Sequence, residues 1–288
     1  MSDEQTKSTT VESLRKALAD LGLETRGHKP ELKKRLRKAK KKLNAASESS
    51  TKTTATTTTT TTTASDQSNP AITKKQQPLD YYLFFDVEAT CEENGGFEYP
   101  NEIIEFPIVL VDGKSFEKVD EFRSYVKPSI NPVLSAFCKQ LTGISQETVD
   151  DSPDFIQVLN DFQEFMAKYS VFQDKTAAFV TDGPFDIRDF VTKQCKHSKI
   201  KLPLYFEKPW VNIRKLFKDF YKQKEAKNIA RMLETLDMTF DGREHSGLDD
   251  ARNLHRIAQR MVADGCIFKT NMFWGPKMRA QQRRARKA

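Results

Sequence analysis

Hydrophobic and polar positions divide the chain into three stretches. Residues 79–275 hold the aromatic residues and alternate short apolar runs with segments of helical periodicity. Residues 9–43 also place apolar side chains at helical spacing. Residues 44–78 include eight consecutive threonines among Ser, Asn and Gln, and such a segment cannot bury enough apolar surface to offset its ordering entropy. We therefore predict a folded body, a small helical module and a disordered linker between them.

The body is predicted to be an α/β domain. Strand patterns occur in YYLFFDVEAT, NEIIEFPIVLVD, EFRSYVKP and TAAFVTD, and a turn at Asp112-Gly113 joins the second to the third. Helical patterns occur in DFIQVLNDFQEFMAKY, FDIRDFVTKQCKHS, NIARMLETL and LDDARNLHRIAQRMVADG, while PWVNIRKLFKDFY combines a short strand with a helix. We expect a mixed five-stranded sheet with helices on both faces, because both faces of such a sheet must be covered.

Positive charge is concentrated at the two ends of the chain. Residues 1–47 carry 13 Lys or Arg against 6 Asp or Glu, and residues 276–288 carry six basic residues and no acid. Residues 48–275 therefore carry a net charge of −6. Basic ends are typical of proteins that bind a polyanion, either nucleic acid or an anionic membrane surface. A short basic tail can also simply be exposed to solvent without binding a partner.

Other features argue against several classes of protein. The four cysteines form no CxxC pair and no secretory signal is visible, so we expect free thiols and a location in the cytoplasm or nucleus. No apolar run approaches the roughly 18 residues of a spanning helix. The four histidines do not cluster with the cysteines at ligand spacing, which argues against zinc.

Acidic residues stand at the ends of three apolar segments. Asp86 and Glu88 are two positions apart after an apolar strand and so share one face. Asp186 follows a second strand, and Asp250 lies in the first turn of an amphipathic helix that His245 precedes. A half-buried carboxylate cluster requires a cation or a proton, and oxygen ligands suit Mg²⁺ or Mn²⁺. For an isolated D-x-E pair, the favoured interpretation is that both acids are solvated. Three segments that each bring acids to the end of an apolar element favour a metal site instead.

These motifs resemble the DEDDh, or DnaQ-like, 3′–5′ exonuclease superfamily, and the resemblance implies an RNase H-like fold. In the second motif the family's aspartate follows an aromatic residue at a helix start, which matches Asp186 rather than Asp182. The resemblance implies two divalent ions, Mg²⁺ with Mn²⁺ as a substitute, which activate water and stabilise the leaving 3′-oxygen. It also implies a part in catalysis for Glu88, and an imidazole suits proton transfer at neutral pH. The residues assigned in this way are the metal ligands Asp86, Glu88, Asp186 and Asp250 and the proton acceptor His245.

A narrower resemblance covers nearly all of residues 80–268. The segments FFDVEATC, FCKQLTGISQETVD, TDGPFDIRDF and DGREHSGLDDARNLHRIAQRMVADGC are similar to the Eri/three-prime histone exonuclease subfamily of exoribonucleases. This resemblance implies removal of 5′-nucleoside monophosphates from 3′ ends of structured RNA. Small interfering duplexes with a 3′ overhang, ribosomal RNA ends and histone-message stem-loops are all candidate substrates, with roles in gene silencing or RNA processing.

Specificity for a 3′ end requires contacts to the terminal nucleotide. We expect backbone groups of Ala89 and Thr90 to bind the sugar hydroxyls, beside His245. Phe137 and Leu141 are expected to pack on the terminal base, since stacking tolerates any base, although ordinary core packing explains these two residues equally well.

Residues 9–43 resemble a SAP motif, a short helical nucleic-acid-binding module, through the string TVESLRKALADLGLETRGHKPELKKRLRKA. Cationic side chains that contact phosphates make binding salt-sensitive; a solvated helix face with a nuclear-import role is the alternative. Residues 44–78 would tether this module to an exonuclease domain at 79–270, and 271–288 form a basic tail. The expected RNA contacts are Arg26, Lys29, Lys33, Lys34 and Arg37.

Two other functions compete with RNA trimming. A DNA exonuclease of the same fold would carry the same metal site, and only the subfamily motifs and the SAP-like module favour RNA. An inactive RNA-binding protein on a nuclease fold would have lost at least one of the five site residues, and all five are present.

Overall fold

The structure is a computed structural model that describes Leu18, residues 75–96 and residues 98–275. The chain divides into two compact units, Met1–Asn69 and Pro70–Ala288. In the first unit Leu18 lies in a helix and is buried. The rest of the predicted SAP module, the linker up to residue 74 and the tail beyond residue 275 lie outside the described residues. The same holds for the expected RNA contacts Arg26, Lys29, Lys33, Lys34 and Arg37.

The described part of the second unit contains a mixed sheet of six strands. Their order is β2-β3-β1-β5-β6, and β4 pairs with β3. The pairs β1–β5 and β5–β6 are parallel, and β3 runs antiparallel to β1, β2 and β4. The strands are β1 (Tyr81–Phe85), β2 (Glu88–Ala89), β3 (Ile103–Asp112), β4 (Lys118–Tyr125), β5 (Ala177–Thr181) and β6 (Val211–Asn212).

The mixed sheet confirms the predicted fold class, with one more strand than expected. The segment YYLFFDVEAT was predicted as one strand, but the chain leaves the ladder at Asp86 and Val87 and resumes as β2. Both β1 and β2 pair with β3, with Phe85 opposite Ile108 and Glu88 opposite Glu105. The break turns the chain where the first two acids lie.

Helices cover the sheet and mostly begin at polar caps. Asp154, Asn212 and Asn228 each accept a hydrogen bond from a backbone N–H three residues ahead, as helix starts favour. The sequence patterns missed two short helices, α1 and α2, of seven and five residues. The helices are α1 (Ala136–Thr142), α2 (Gln146–Asp150), α3 (Phe155–Lys168), α4 (Thr192–His197), α5 (Ile213–Phe220), α6 (Ile229–Thr235) and α7 (Gly247–Ala263); a π-helical segment, Asp186–Val191, leads directly into α4.

Alternation along β1 sends side chains to two separate cores. Tyr82 and Phe84 pack with residues of α5, α6 and α7 on one face. Leu83 and Phe85 pack with residues of α3 and the π-helical segment on the other. This arrangement follows from the two-residue period of a strand and confirms that helices lie on both faces.

Packing continues on either side of the predicted bounds of 79–270. Gln77 is buried, where its Nε2 donates to the carbonyl of Cys266 at 3.1 Å and its Oε1 accepts from the Phe268 N–H at 2.8 Å. Trp274 is buried and donates to the carbonyl of Phe206 at 3.0 Å. The four cysteines are free thiols, as predicted. Within the described ranges, no helix is long and apolar enough to cross a membrane.

Candidate active site

Two parallel strands deliver acids to one edge of the sheet. β1 ends just before Asp86 and its parallel neighbour β5 ends just before Asp182. The carboxyl ends of parallel strands are where open α/β sheets bind ligands. The backbone N–H of Val87 donates to Oδ1 of Asp186 at 3.2 Å, so the break after β1 is joined to the π-helical segment that Asp186 opens.

The third acid-bearing segment is the start of α7. Asp250 is buried in its first turn, and the backbone N–H of Asp250 donates to the carbonyl of Ser246 at 2.8 Å. The backbone N–H of His245 hydrogen-bonds the Asp250 carboxylate. His245 is exposed and has a left-handed backbone with φ of 64°, a conformation that costs free energy in a non-glycine residue and is often found at functional sites.

One cavity of about 570 Å³ brings the five predicted residues together. A volume of this size suits one small molecule or the end of a longer one. The structure therefore places the four predicted metal ligands, called the quartet below, and the predicted histidine around a common space. The site residues on its wall are Asp86, Glu88, Asp186, His245 and Asp250, with Asp182, Phe185, Asp189, Lys193, Arg214 and Glu244 beside them.

Burial raises the pKa of all four acids, and neighbouring carboxylates add to the rise. Burial and then the neighbouring carboxylates raise the pKa of Asp86 and of Glu88 well above the usual range. Burial likewise raises the pKa of Asp186 and of Asp250 to about 7. The Asp86 and Asp186 side chains are close enough for each to affect the pKa of the other.

An all-oxygen set of carboxylates suits hard divalent cations. Within the described ranges, no three His, Cys, Asp or Glu side chains already form a compact ligand cluster. Positive charge placed among them would relieve both the repulsion and the burial cost. The donor chemistry thus fits divalent metal ions held by Asp86, Glu88, Asp186 and Asp250.

Asp182 is held by an arginine. Nε and Nη2 of Arg214 each donate to one carboxylate oxygen of Asp182, both at 2.6 Å. Burial raises the pKa of Asp182 while Arg214 opposes that rise. Since both oxygens are occupied in a bidentate pair, the geometry supports the assignment of Asp186, rather than Asp182, to the quartet.

Glu105 fixes the start of α7 against the sheet. Its side chain is fully buried, and it accepts from the backbone N–H groups of Gly247 at 3.0 Å and Leu248 at 3.3 Å. The Nε of Arg123 donates to it at 2.8 Å. Ser246, the residue at the usual capping position, makes no side-chain cap. A strand carboxylate therefore supplies the negative charge and the acceptors that a helix N-terminus favours.

Of the residues expected to hold the terminal nucleotide, His245 lies on the cavity wall, whereas Ala89, Thr90, Phe137 and Leu141 lie outside it. Thr90 is buried, its N–H donates to Glu102 at 2.8 Å, and its carbonyl accepts from Asn101 at 2.8 Å. Ala89 is buried in β2. These contacts use the backbone groups of Thr90 within the protein, so the structure does not present them to a ligand.

Phe137 and Leu141 are half-buried on α1 and belong to none of the core clusters among the described residues. The guanidinium of Arg243 joins this helix to the loop of His245, because its Nη2 donates to the carbonyls of Gln140 at 2.8 Å and Leu141 at 3.2 Å. Core packing therefore does not account for either apolar side chain, and α1 borders the catalytic loop.

Sequence patterns missed several residues of the site. Phe185 directly precedes Asp186, and its place beside the metal motif was an available signal. Glu105 is the one polar residue of its strand before the terminal Asp112, so an acid in an apolar run was also visible. Arg214 and Lys193 sit among many other basic residues of helical segments, and nothing in the sequence distinguishes them.

Comparison with known proteins gives consistent matches. The exonuclease family RNase_T matches residues 83–258. The 3′-5′ exonuclease eri1 of Schizosaccharomyces pombe is 39% identical, over 94% of this chain and 93% of the relative. The human 3′-5′ exoribonuclease 1 is 40% identical, over 90% of this chain and 68% of its own length.

Solved structures of exonucleases are also similar to this chain. A 3′-exonuclease in a structure of 3′-end-specific recognition of histone mRNA stem-loop has a TM-score of 0.67 at 38% identity, covering 93% of this chain and 85% of that one. The nuclease domain of 3′hExo, a DEDDh family member bound to rAMP, has a TM-score of 0.65 at 42% identity, covering 68% and 98%. The chain belongs to the DEDDh exonucleases, in the Eri branch of 3′–5′ exoribonucleases, a family whose members depend on divalent metal ions.

Proposed function

We propose that this protein is a 3′–5′ exoribonuclease that trims the 3′ ends of structured RNA with Mg²⁺, for which Mn²⁺ can substitute. The observation that carries the proposal is the single cavity that Asp86, Glu88, Asp186, Asp250 and His245 share. Neither an inactive binding protein nor a purely structural domain explains four carboxylates with raised pKa values kept around one partly buried cavity.

Residues of this chain hold the metal ions and accept the proton of the attacking water. When bound, the divalent ions supply Lewis acidity that activates water and offsets charge on the phosphate. His245 accepts the proton of the attacking water, and its exposed position lets it pass that proton to solvent. The Asp250 carboxylate, which accepts from the His245 backbone, holds this loop in place. The products are 5′-nucleoside monophosphates.

Specificity for the end of a strand follows from the size of the cavity and from apolar surfaces in and near it. Phe185 lines it and offers an aromatic surface to a base, while Phe137 and Leu141 stand half-buried on the helix that Arg243 ties to the catalytic loop. A base that packs between these surfaces would be held without regard to its identity.

The preference for structured RNA rests on residues 9–43 and on the relatives. An alignment that covers 94% of the chain includes at least part of the predicted SAP module. The cationic side chains of that module would bind phosphates of a duplex or stem-loop, and the linker would keep them near the active site. Such substrates place the protein in the cytoplasm, the nucleus or both.

Trimming of labelled oligonucleotides tests the proposal. The full chain is incubated in Mg²⁺ with a 3′-overhanged stem-loop, a duplex with 3′ overhangs, a single-stranded RNA and matched DNA. We expect RNA to shorten from its 3′ end to monophosphates, with loss of activity in EDTA and in Asp86→Asn. Faster trimming of DNA would instead identify a DNA exonuclease, and activity that survives chelation would overturn the metal mechanism.

A matched pair of variants tests the SAP module. Lys33→Glu/Lys34→Glu is compared with Lys222→Glu/Lys224→Glu, which makes the same charge change in the second unit, outside the cavity wall. We expect only the first pair to weaken binding of the stem-loop and to reduce its salt dependence. Equal effects of the two pairs would assign the attraction to overall charge.

A further inference from the structure

A second cleft, of about 420 Å³, adjoins the catalytic cavity. Two of its residues, Phe185 and Arg214, also line the catalytic cavity. The two spaces therefore share a wall. The other residues used below are Gly183, Lys215, Lys218 and Asp219.

The two spaces have opposite charge. Seven acidic side chains and two basic ones, Lys193 and Arg214, line the catalytic cavity. The second cleft has three basic side chains, Arg214, Lys215 and Lys218, and a single acid, Asp219. A chain of phosphates that ends at the acidic cavity would find cations immediately next to it, because Coulomb attraction is strongest where water is partly excluded.

Arg214 is fixed in direction at the boundary between the two spaces. Its Nε and Nη2 are both committed to Asp182, which leaves Nη1 and the outer proton of Nη2 as further donors of its planar fork. Lys215 and Lys218 lie three residues apart on α5 and so point to one side of the helix. Among the described residues, neither lysine forms an ion pair with a carboxylate.

Gly183 keeps the boundary open. It follows β5 with φ of 104°, and a β-carbon added there would lie 3.2 Å from the Phe185 ring and 3.9 Å from Nε of Arg214. Those are the two residues that both spaces share. A side chain at position 183 would therefore stand at the junction, and the backbone conformation itself favours glycine.

We propose that this second cleft binds phosphodiester groups of the RNA beyond its terminal nucleotide. The inference rests on the proposed function and extends it. The catalytic cavity holds only the end of an RNA, and the rest must leave past its wall; the basic cleft is contiguous with that wall. The phosphates come either from the strand being trimmed or from the complementary strand of a duplex, and both present the same chemistry to Arg214, Lys215 and Lys218.

The test compares charge-reversed variants of the full chain on substrates of increasing length. Lys215→Glu/Lys218→Glu is assayed on a ribodinucleotide, a single-stranded 12-mer and a duplex with a 3′ overhang. Lys196→Glu/Lys201→Glu is the control, since both of its lysines are exposed and line neither space. Thermal unfolding of each variant is measured alongside.

We expect kcat/KM of the cleft variant on long RNA to fall at least tenfold. The fold-decrease in kcat/KM on the dinucleotide should be at least five times smaller than that on long RNA. The slope of log binding constant against log salt should decrease by about 1.5, as two lost phosphate contacts imply. The control variant should match the native chain. A loss on both the single strand and the duplex identifies the trimmed strand as the source of the phosphates, and a loss on the duplex alone identifies the complementary strand.

An equal loss on the dinucleotide and on long RNA, or no loss on either, would overturn the inference. A native chain that trims no RNA would instead contradict the proposed function, so the two failures are distinguishable. If the charge-reversed variant unfolds, Lys215→Gln/Lys218→Gln tests the same point, with an expected decrease of about threefold that is again larger on long RNA.

Discussion

Gly247 packs directly against the backbone of Asp86. A β-carbon on Gly247 would lie 2.4 Å from the Asp86 carbonyl oxygen and 3.1 Å from Cγ of Pro107. The first residue of α7 therefore touches the chain at the point where β1 ends. Because Asp250 is in the first turn of the same helix, this contact sets the separation between the first and last acids of the quartet.

Substitution Gly247→Ala should impair catalysis more than stability. The added methyl forces α7 away from β1, and a misplacement of about 1 Å in an active site can cost about 100-fold in rate. Overpacking of this kind costs about 1–3 kcal/mol of unfolding free energy. Single-turnover trimming and thermal unfolding measure the two effects. Gly275→Ala is the control, because its nearest new contact is an ordinary 3.7 Å; equal activity of the two variants would contradict this role of Gly247.

Substitution Glu105→Gln should weaken metal-dependent activity. An amide keeps the shape but provides one acceptor oxygen where Gly247 and Leu248 now use two, and it removes the partner of Arg123. We expect kcat to fall about tenfold and the Mg²⁺ concentration for half-maximal activity to rise, with KM for RNA changed little. The exposed acid Glu164 offers a matched control in Glu164→Gln. A change confined to thermal stability would show that Glu105 supports the fold without positioning α7.

Removal of one quartet charge should stabilise the metal-free protein. The pKa of Asp250 is raised to about 7, mainly by burial, from its ordinary 3.8. A raised acid pKa destabilises the fold increasingly as pH rises above the ordinary 3.8, and the penalty is complete once pH exceeds the raised value; it disappears as pH falls toward 4. At pH 8 in EDTA, Asp250→Asn should therefore be about 2 kcal/mol more stable than the native chain, although trimming is lost.

Calorimetry at pH 8, with and without Mg²⁺, measures this effect. The native chain should gain stability on addition of Mg²⁺, and Asp250→Asn should gain less. The surface substitution Asp161→Asn should behave like the native chain. A metal-free Asp250→Asn protein that is less stable than the native chain at pH 8 would contradict the electrostatic account of the site.

Acid should destabilise the fold through His255. This histidine is buried, its Nε2 lies 3.1 Å from the carbonyl of Phe116, and burial lowers its pKa below the ordinary 6.5. Of the charges nearby, Glu117 and Glu121 raise that pKa and Lys118 lowers it. The stability that the neutral imidazole contributes is complete above 6.5 and is lost as pH falls through the lowered pKa.

Urea unfolding in saturating Mg²⁺, measured from pH 7.5 to 5, tests this effect. The difference in unfolding free energy between the native chain and His255→Gln should shrink as pH falls, because only the native chain takes up a proton at this position on unfolding. Parallel curves across the whole range would exclude His255 as the source.

Local patterns were enough to predict the four acids that the structure places around one cavity. Asp86 and Glu88 follow an apolar strand, and Asp250 stands at the head of an amphipathic helix, so each motif is visible in a short window of sequence. The resemblance placed Asp186 ahead of Asp182, and the bidentate pair with Arg214 supplies a physical reason. Arg214 is 32 positions away from Asp182 in sequence, and no periodicity links the two.

Contacts between distant segments account for what sequence patterns could not predict. The expected role of the Thr90 backbone overlooked its hydrogen bonds to Glu102 and Asn101, which depend on how the following loop folds back. The cap on α7 comes from Glu105, 142 residues before Gly247. The basic cleft likewise combines the turn after β5 with α5, and its charge is visible only once these two segments are adjacent.

The side chain of Arg243 has a mechanical consequence for the catalytic loop. It hydrogen-bonds the carbonyls of Gln140 and Leu141, while its own backbone N–H donates to Asp249 at 3.0 Å. His245, the proposed proton acceptor, stands two residues further along the same loop. Movement of α1 away from this loop would break both side-chain hydrogen bonds. We therefore expect α1, with Phe137 and Leu141, to move together with the loop that carries His245.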